Sequence, residues 1–253
     1  MPELGSLILG GNAPRVAVSF TDAVLALDIN EAKEAGLDIA EARIDLFRSF
    51  ETRHVVRKLA LFRGMPLIAT IRIRKEGGSW SGTEAQRQEL FKALIPHADA
   101  VDIELSAKAT LAKIGPRVKK QGKLLIVSYH NFDKTPALAT LKKIVRASEK
   151  AGADIVKIAT HVAKGHPEHL KTLTALLTGH ARKNLIVIGM GDEGVTSRLL
   201  FPRLGSLMTF AFGGSARSAP GQLPFAHMQV LLRQLYPAYN REKIIKIKLV
   251  ESL

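Results

Sequence analysis

Eight short runs of strand character, each followed by a stretch with helical spacing, constrain this chain more than any other feature. The runs are RVAVSF (15–20), LDIAEARIDLF (37–47), PLIATIR (66–72), AVDIEL (100–105), KLLIVSYH (123–130), DIVKIAT (154–160), NLIVIGMG (184–191) and SLMTFAF (206–212). Segments such as EAQRQELFKALI (84–95) and ALATLKKIVRASEKAG (137–152) carry the helical period, and Gly36, Gly64, Gly122 and Gly152 stand where helix C-caps belong. Strands that alternate with helices pair in parallel, because each crossover returns the chain to the same end of the sheet. Eight such units close a barrel; a doubly wound open sheet is the alternative. Regular spacing, the lack of a long insertion and polar residues at most strand ends favour the barrel. The expectation is one α/β domain over residues 1–253, a single (β/α)8 barrel with the leading LGSLILGG as a short hairpin covering its bottom. With 46% hydrophobic residues the chain has material for a core of that size. The tail 239–253 shows no clear period and is left unassigned.

Reactive groups in such a barrel collect at the C-terminal strand ends. Glu41, Arg43 and Asp45 alternate along the second run, which would put them on one strand face. Arg72 ends the third run and Glu76 follows in its loop. Asp102 and Glu104 share a face of the fourth, His130 ends the fifth and Lys157 interrupts the sixth. Any one of these suits a surface position or a satisfied ion pair. Seven charges and a histidine on strands that normally read as apolar runs demand a common explanation.

Lys157, flanked by Ile155-Val156 and Ile158-Ala159, has two readings. Desolvated beside other cations it would have a lowered pKa and act as a neutral amine that attacks a carbonyl; alternatively it forms a structural ion pair with Glu104 or Glu41. His130 would face the same space, where proton transfer suits an imidazole, and Glu76 is a carboxylate that could orient it. The loop after the last strand, Gly213 to Gln222, contains Ser218 as a candidate N-cap for a helix with Pro220 in its first turn. Such a helix start would offer amide groups to an anion.

Other patterns carry less. Gly189-Met190-Gly191-Asp192-Glu193-Gly194 matches G-x-G-x-x-G, but no Asp or Glu lies between Val195 and Arg241 to hold a ribose, which argues against a nicotinamide site. His161, His166 and His169 have only Glu168 nearby, so a solvated helix start at Gly165-His166-Pro167 is expected and no metal site. The net charge of +14 permits nucleic-acid binding, but the basic residues are spread over helices, as in Lys108, Lys113, Arg117, Lys119 and Lys120. No nucleic-acid partner is expected; the charge also suits a small anionic substrate. No run reaches the roughly 18–20 apolar residues of a membrane span. With no cysteine in the chain, a reducing, cytoplasmic setting is the expectation.

Taken together, EARIDLF (41–47), TIRIRKEGG (70–78), VDIEL (101–105), SYHNF (128–132), IVKIAT (155–160), GMGDEGVTSR (189–198), GSLMTF (205–210) and SAPGQ (218–222) resemble the type I 3-dehydroquinate dehydratases. The likeness runs from about residue 15 to residue 236. It implies a cofactor-free (β/α)8 lyase of the shikimate pathway that converts 3-dehydroquinate to 3-dehydroshikimate, and it suggests a homodimer. By the same resemblance Lys157 forms the imine, His130 moves protons and Glu76 is its partner. Ser19, Glu41, Arg43 and Arg72 bind substrate, Arg198 clamps a carboxylate, Ser218 and Gln222 close over the ligand, and Met190 and Phe210 are apolar walls. Asn131 departs from the Asp that many members carry, which would alter any tuning of the neighbouring histidine. Another lysine-imine barrel, a class I lyase or aldolase of keto acids or sugar phosphates, is the alternative.

Overall fold

The computed structural model describes residues 1–180, 184–213 and 219–251, with side chains through residue 245. A two-stranded antiparallel hairpin, β1 (Glu3–Leu4) and β2 (Leu7–Ile8), comes first. Eight strands follow: β3 (Val16–Phe20), β4 (Ile39–Arg43), β5 (Leu67–Thr70), β6 (Ala100–Glu104), β7 (Leu124–Asn131), β8 (Ile155–His161), β9 (Leu185–Met190) and β10 (Thr209–Phe212). Helices alternate with them: α1 (Ala26–Glu34), α2 (Thr52–Leu59), α3 (Glu84–Leu94), α4 (Lys108–Lys120), α5 (Leu138–Lys150), α6 (Pro167–Thr178), α7 (Val195–Leu200) and α8 (Phe225–Leu235). A last helix, α9 (Pro237–Glu251), completes the order.

Every strand pair in the large sheet is parallel, in the order β10-β3-β4-β5-β6-β7-β8-β9. Pairing of the last strand with the first bends the sheet into a nearly closed barrel. Its seam lies between β9 and β10, where the Leu207 amide donates to the Leu185 carbonyl at 2.9 Å and the Val187 amide to Ser206 Oγ at 3.1 Å. The expected barrel is therefore observed.

Side chains that point inward form layers set by the register. The lower layers are apolar: Ala17, Ile39, Ile68, Ala100, Ile126, Ile155 and Ile186 pack in one cluster. Leu4 and Leu9 of the hairpin region join that cluster and are fully buried, so the hairpin closes the bottom as expected. One inward position higher the layer turns polar, with Ser19 beside Glu41, Thr70 beside Asp102 and Ser128 beside Lys157. A second and larger core lies between barrel and helices, where Val18, Ala40, Ala42, Ala69, Val101, Ile103 and Val127 face helix residues such as Ile29, Val55, Phe91 and Ile114.

Local signals explain most boundaries. Thr83 caps α3 by accepting from the Gln86 amide, and Pro167 opens α6 at its first position, as expected. Gly36 and Gly152 adopt φ of 81° and 90° after their helices, the left-handed backbone that glycine takes at little cost.

Two expectations need correction, for Asp45 and Pro220, and the unassigned tail proves to be helical. Asp45 is not on the strand: β4 ends at Arg43 and residues 44–46 form a 3-10 turn, which folds Asp45 back onto Arg43. The tail is the helix α9, held by Lys243, whose Nζ donates to the Gly36 carbonyl (2.7 Å) and pairs with Asp38 (2.5 Å) in a fully buried site. An ion-paired anchor leaves no apolar period to read. Pro220 lies in a turn and not in a helix, because α8 starts at Phe225; Ser218 itself lies outside the described residues.

Replacing Leu9 with Ala should remove about 2–5 kcal/mol of stability, because the bottom layer cannot collapse onto the gap. Urea unfolding measures it: the midpoint falls with the slope unchanged, whereas an unchanged midpoint would show that the hairpin does not hold the barrel floor.

Candidate active site

The polar layers meet at the C-terminal mouth of the barrel in a cavity of about 470 Å³, counting its open entrance. Glu41, Arg43, Arg72, Glu76, His130, Lys157, Met190, Arg198, Phe210 and Gln222 line it, ten of the twelve site residues expected from sequence. Ser19 stands behind this lining, its hydroxyl donating to Glu41 at 2.5 Å. Ser218 lies outside the described residues.

Lys157 owes its position to β8, whose alternation turns Ile155, Lys157 and Ala159 inward. Its Nζ lies 3.2 Å from Asp102, 3.7 Å from Glu41 and 4.1 Å from the centre of the Phe210 ring. The amine thus sits between two carboxylates and over an aromatic face, not among cations alone. Glu104, named as a possible partner, is taken up elsewhere. Asp102 is fully buried, and burial opposes its charge; Arg72 at 2.8 Å and Lys157 nevertheless hold its carboxyl well below the usual range. Ser128 donates to its other oxygen at 2.6 Å.

His130 ends the inward row of β7, with a side chain only 9% exposed. Burial, then the nearby Arg72 and Lys157, push its pKa well below 6.5, against the opposing pull of Asp102. The imidazole is neutral at physiological pH and able to accept a proton. Glu76 lies 3.1 Å from Nδ1 and accepts the His130 amide at 2.9 Å, which fixes the ring and leaves Nε2 as the free base. Ser106 donates to the other Glu76 oxygen at 2.5 Å; burial outweighs these bonds and raises the Glu76 pKa.

Two further polar walls differ in kind. Arg43 is satisfied by a bidentate pair with Asp45, at 3.0 and 2.9 Å. Arg198, 2% exposed on α7, donates to the carbonyls of Phe210 (3.3 Å) and Pro220 (2.9 Å). No carboxylate pairs with it among the described residues, and burial lowers its pKa to about 10.

A family model described as type I 3-dehydroquinase matches residues 16–238. The chain belongs to the type I 3-dehydroquinase family. A 3-dehydroquinate dehydratase of Methanosarcina barkeri is 37% identical over 245 residues, covering 93% of this chain and 100% of that one. One from Aquifex aeolicus is 35% identical over 223 residues, 87% of this chain and 98% of the relative. The crystal structure of 3-dehydroquinate dehydratase from Geobacillus kaustophilus superposes with a TM-score of 0.85 at 29% identity, covering 92% of this chain and 95% of that chain.

Around the expected site residues the structure adds Phe132 and settles the contacts of Asp102, Glu104 and Asn131. Asp102 is the nearest carboxylate to the lysine, and Glu104 bonds Arg72 at 3.1 Å and the Ile73 amide at 2.9 Å. Phe132 lines the cavity and packs against Gly77, where a β-carbon would stand 2.2 Å from the ring. Asn131 caps the following turn, its Oδ1 accepting the amides of Asp133 and Lys134 at 3.0 and 2.9 Å and its Nδ2 donating to Tyr129. It is thus committed to the loop, away from the tuning role considered for that position. The glycines of residues 189–194 serve packing: a β-carbon on Gly194 would meet the Gly189 backbone at 2.5 Å.

His166, Glu168 and His169 bring ligand-type atoms within 4.8 Å of one another at the exposed start of α6. His166 Nδ1 already pairs with Glu168 at 2.6 Å and His169 Nδ1 accepts the Ala163 amide at 3.2 Å. The positive end of the helix also works against a cation there.

His130 should remain neutral as pH falls through 6.5, because its folded pKa lies below that value. Histidine-selective NMR titration tests this; a resonance that protonates above 6.5 would mean that Glu76 dominates its environment.

Proposed function

We propose that this chain dehydrates 3-dehydroquinate to 3-dehydroshikimate through an imine on Lys157, as a lyase of the shikimate pathway. The observation that carries the reading is Arg198: a buried guanidinium without an acidic partner among the described residues, lining the same cavity as Lys157 and a neutral His130. Such a cation has a strong demand for a bidentate anion, and a substrate carboxylate meets it. The kinship with 3-dehydroquinate dehydratases supports the same conclusion.

The steps follow from the geometry. Asp102 and Glu41 hold the Lys157 amine toward the cavity, where it adds to the substrate ketone and expels water to form an iminium. The iminium withdraws electrons from C2, so that His130, oriented by Glu76, can remove the C2 proton near neutral pH. The enamine then expels the C1 hydroxyl, which takes the proton back from His130, and hydrolysis of the product imine frees Lys157. Arg43, Arg72 and Glu41 are the partners for ring hydroxyls, while Met190 and Phe210 exclude water from the reacting carbons. A sugar-phosphate aldolase would use the same lysine, but the family match favours the dehydratase.

No described helix is long and apolar enough to cross a membrane. A cytoplasmic homodimer fits this reading. Leu200 on α7, Val230 and Leu235 on α8 and Ile245 on α9 are exposed apolar groups.

Incubation with 3-dehydroquinate and borohydride should leave a reduced adduct on Lys157, seen by mass spectrometry and absent from Lys157→Ala. Wild type with neither adduct nor enone absorbance would overturn the reading. Arg198→Met should lower kcat/KM at least about 30-fold, since truncating one side of a buried charged pair costs roughly 2–5 kcal/mol; wild-type kinetics would remove the carboxylate clamp from the mechanism.

A further inference from the structure

Arg87 lies on α3, outside the barrel wall, and is fully buried. It occupies the helix stripe that Leu90, Phe91 and Leu94 otherwise fill with apolar side chains, and its guanidinium lies 5.4 Å from the centre of the Phe91 ring. An arginine in that layer is costly, and two of its nitrogens, Nε and Nη2, have no hydrogen-bond partner among the described residues. The local contact at Nε, the half-exposed Glu84 carboxylate at 3.3 Å, does not by itself explain the burial.

What Arg87 does reach is Glu104. Its Nη1 lies 2.8 Å from Glu104 Oε2 and donates to the Ile71 carbonyl at 2.7 Å. The opposite oxygen of Glu104 meets Arg72 at 3.1 Å, Arg72 meets Asp102 at 2.8 Å, and Asp102 meets the Lys157 amine at 3.2 Å. The five side chains form an unbroken row of alternating charge from the helix layer through the barrel wall to the reactive nitrogen. Arg87, Arg72 and Lys157 are its basic members and Glu104 and Asp102 its acidic ones, and Glu41, 3.7 Å from the Lys157 amine, adds a third carboxylate at the inner end. Glu84 adds a half-exposed carboxylate 3.3 Å from Arg87 Nε at the outer end.

The geometry points to Arg87 as a positioning residue for the dehydration: by neutralising Glu104 from outside the barrel it leaves Arg72 directed at Asp102 and the ligand cavity. Without that charge, a fully buried Glu104 has Arg72 as its one remaining cationic partner among the described residues and draws it away from Asp102. Asp102 then pairs with Lys157 alone, and the ring-hydroxyl contact of Arg72 is lost with it. The inference rests on the Lys157 reading above and deepens it.

Arg87→Gln and Arg87→Lys separate charge from packing. Gln retains a donor for the Ile71 carbonyl and drops the charge; Lys retains the charge. Steady-state kinetics on 3-dehydroquinate, with borohydride trapping to count competent sites, should show Arg87→Gln reduced roughly 10- to 100-fold in kcat/KM, since a displacement of about 1 Å at a site can cost about 100-fold. Both kcat and KM should move, and Arg87→Lys should recover most of the loss. Folded Arg87→Gln with wild-type kcat and KM would overturn the inference, as would equal losses in both variants. Failure of both to fold would also count against it, by making Arg87 a requirement of the fold alone. Inactive wild type would instead refute the proposed function, so the two failures are distinguishable.

Discussion

Charge is buried in the upper half of this barrel only because Arg72 stands at its centre. It touches Asp102, Glu104 and the Ser128 hydroxyl, all fully enclosed. Each of those carboxylates alone would be too costly to ionise in so dry a place, and each of the cations likewise. Set in alternation around Arg72, they hold one another in place. The amine of Lys157 is the end of that array which meets the cavity, and its position follows from the order of charges behind it.

The lower half of the barrel makes this arrangement affordable. A floor of isoleucines and alanines, sealed by Leu4 and Leu9, keeps water out from below, so the polar layers see solvent only through the mouth. Low local dielectric then sharpens every difference among the ionisable groups. The same surroundings that leave Asp102 charged, through Arg72 and Lys157, keep the imidazole of His130 neutral. Two groups near one amine are set in opposite protonation roles by which charges face them. Arg198 is the exception to the balance, since among the described residues it has carbonyls but no carboxylate.

Much of the fold was legible in the chain. Eight strand-like runs, the glycine exits and the polar strand ends led to the barrel, and all eight strands form within the expected runs, extending by at most one residue past one end. Asp45 was misplaced because a strand pattern does not announce where a 3-10 turn cuts it short. The C-terminal helix escaped because Lys243 anchors it through a buried ion pair, which leaves no hydrophobic period. In the site, Lys157, His130 and Glu76 stood out through odd chemistry in apolar or terminal settings. Arg87 left a readable mark too, as a charge on the apolar stripe of α3, but nothing local named its partner.

The sequence by itself determined which groups are available and, wherever the strand runs on, which of them share a face, because alternation along a strand sorts its residues onto two sides. It thereby set the barrel, its dry floor and the inward row of acids and bases. Tertiary structure alone decided who pairs with whom: Asp102 and not Glu104 with Lys157, Glu104 with Arg72 and Arg87, Arg198 with no acid among the described residues. Those choices depend on the stagger between neighbouring strands and on how α3 lies against the barrel. A shift in either would select a different counter-ion for the Lys157 amine.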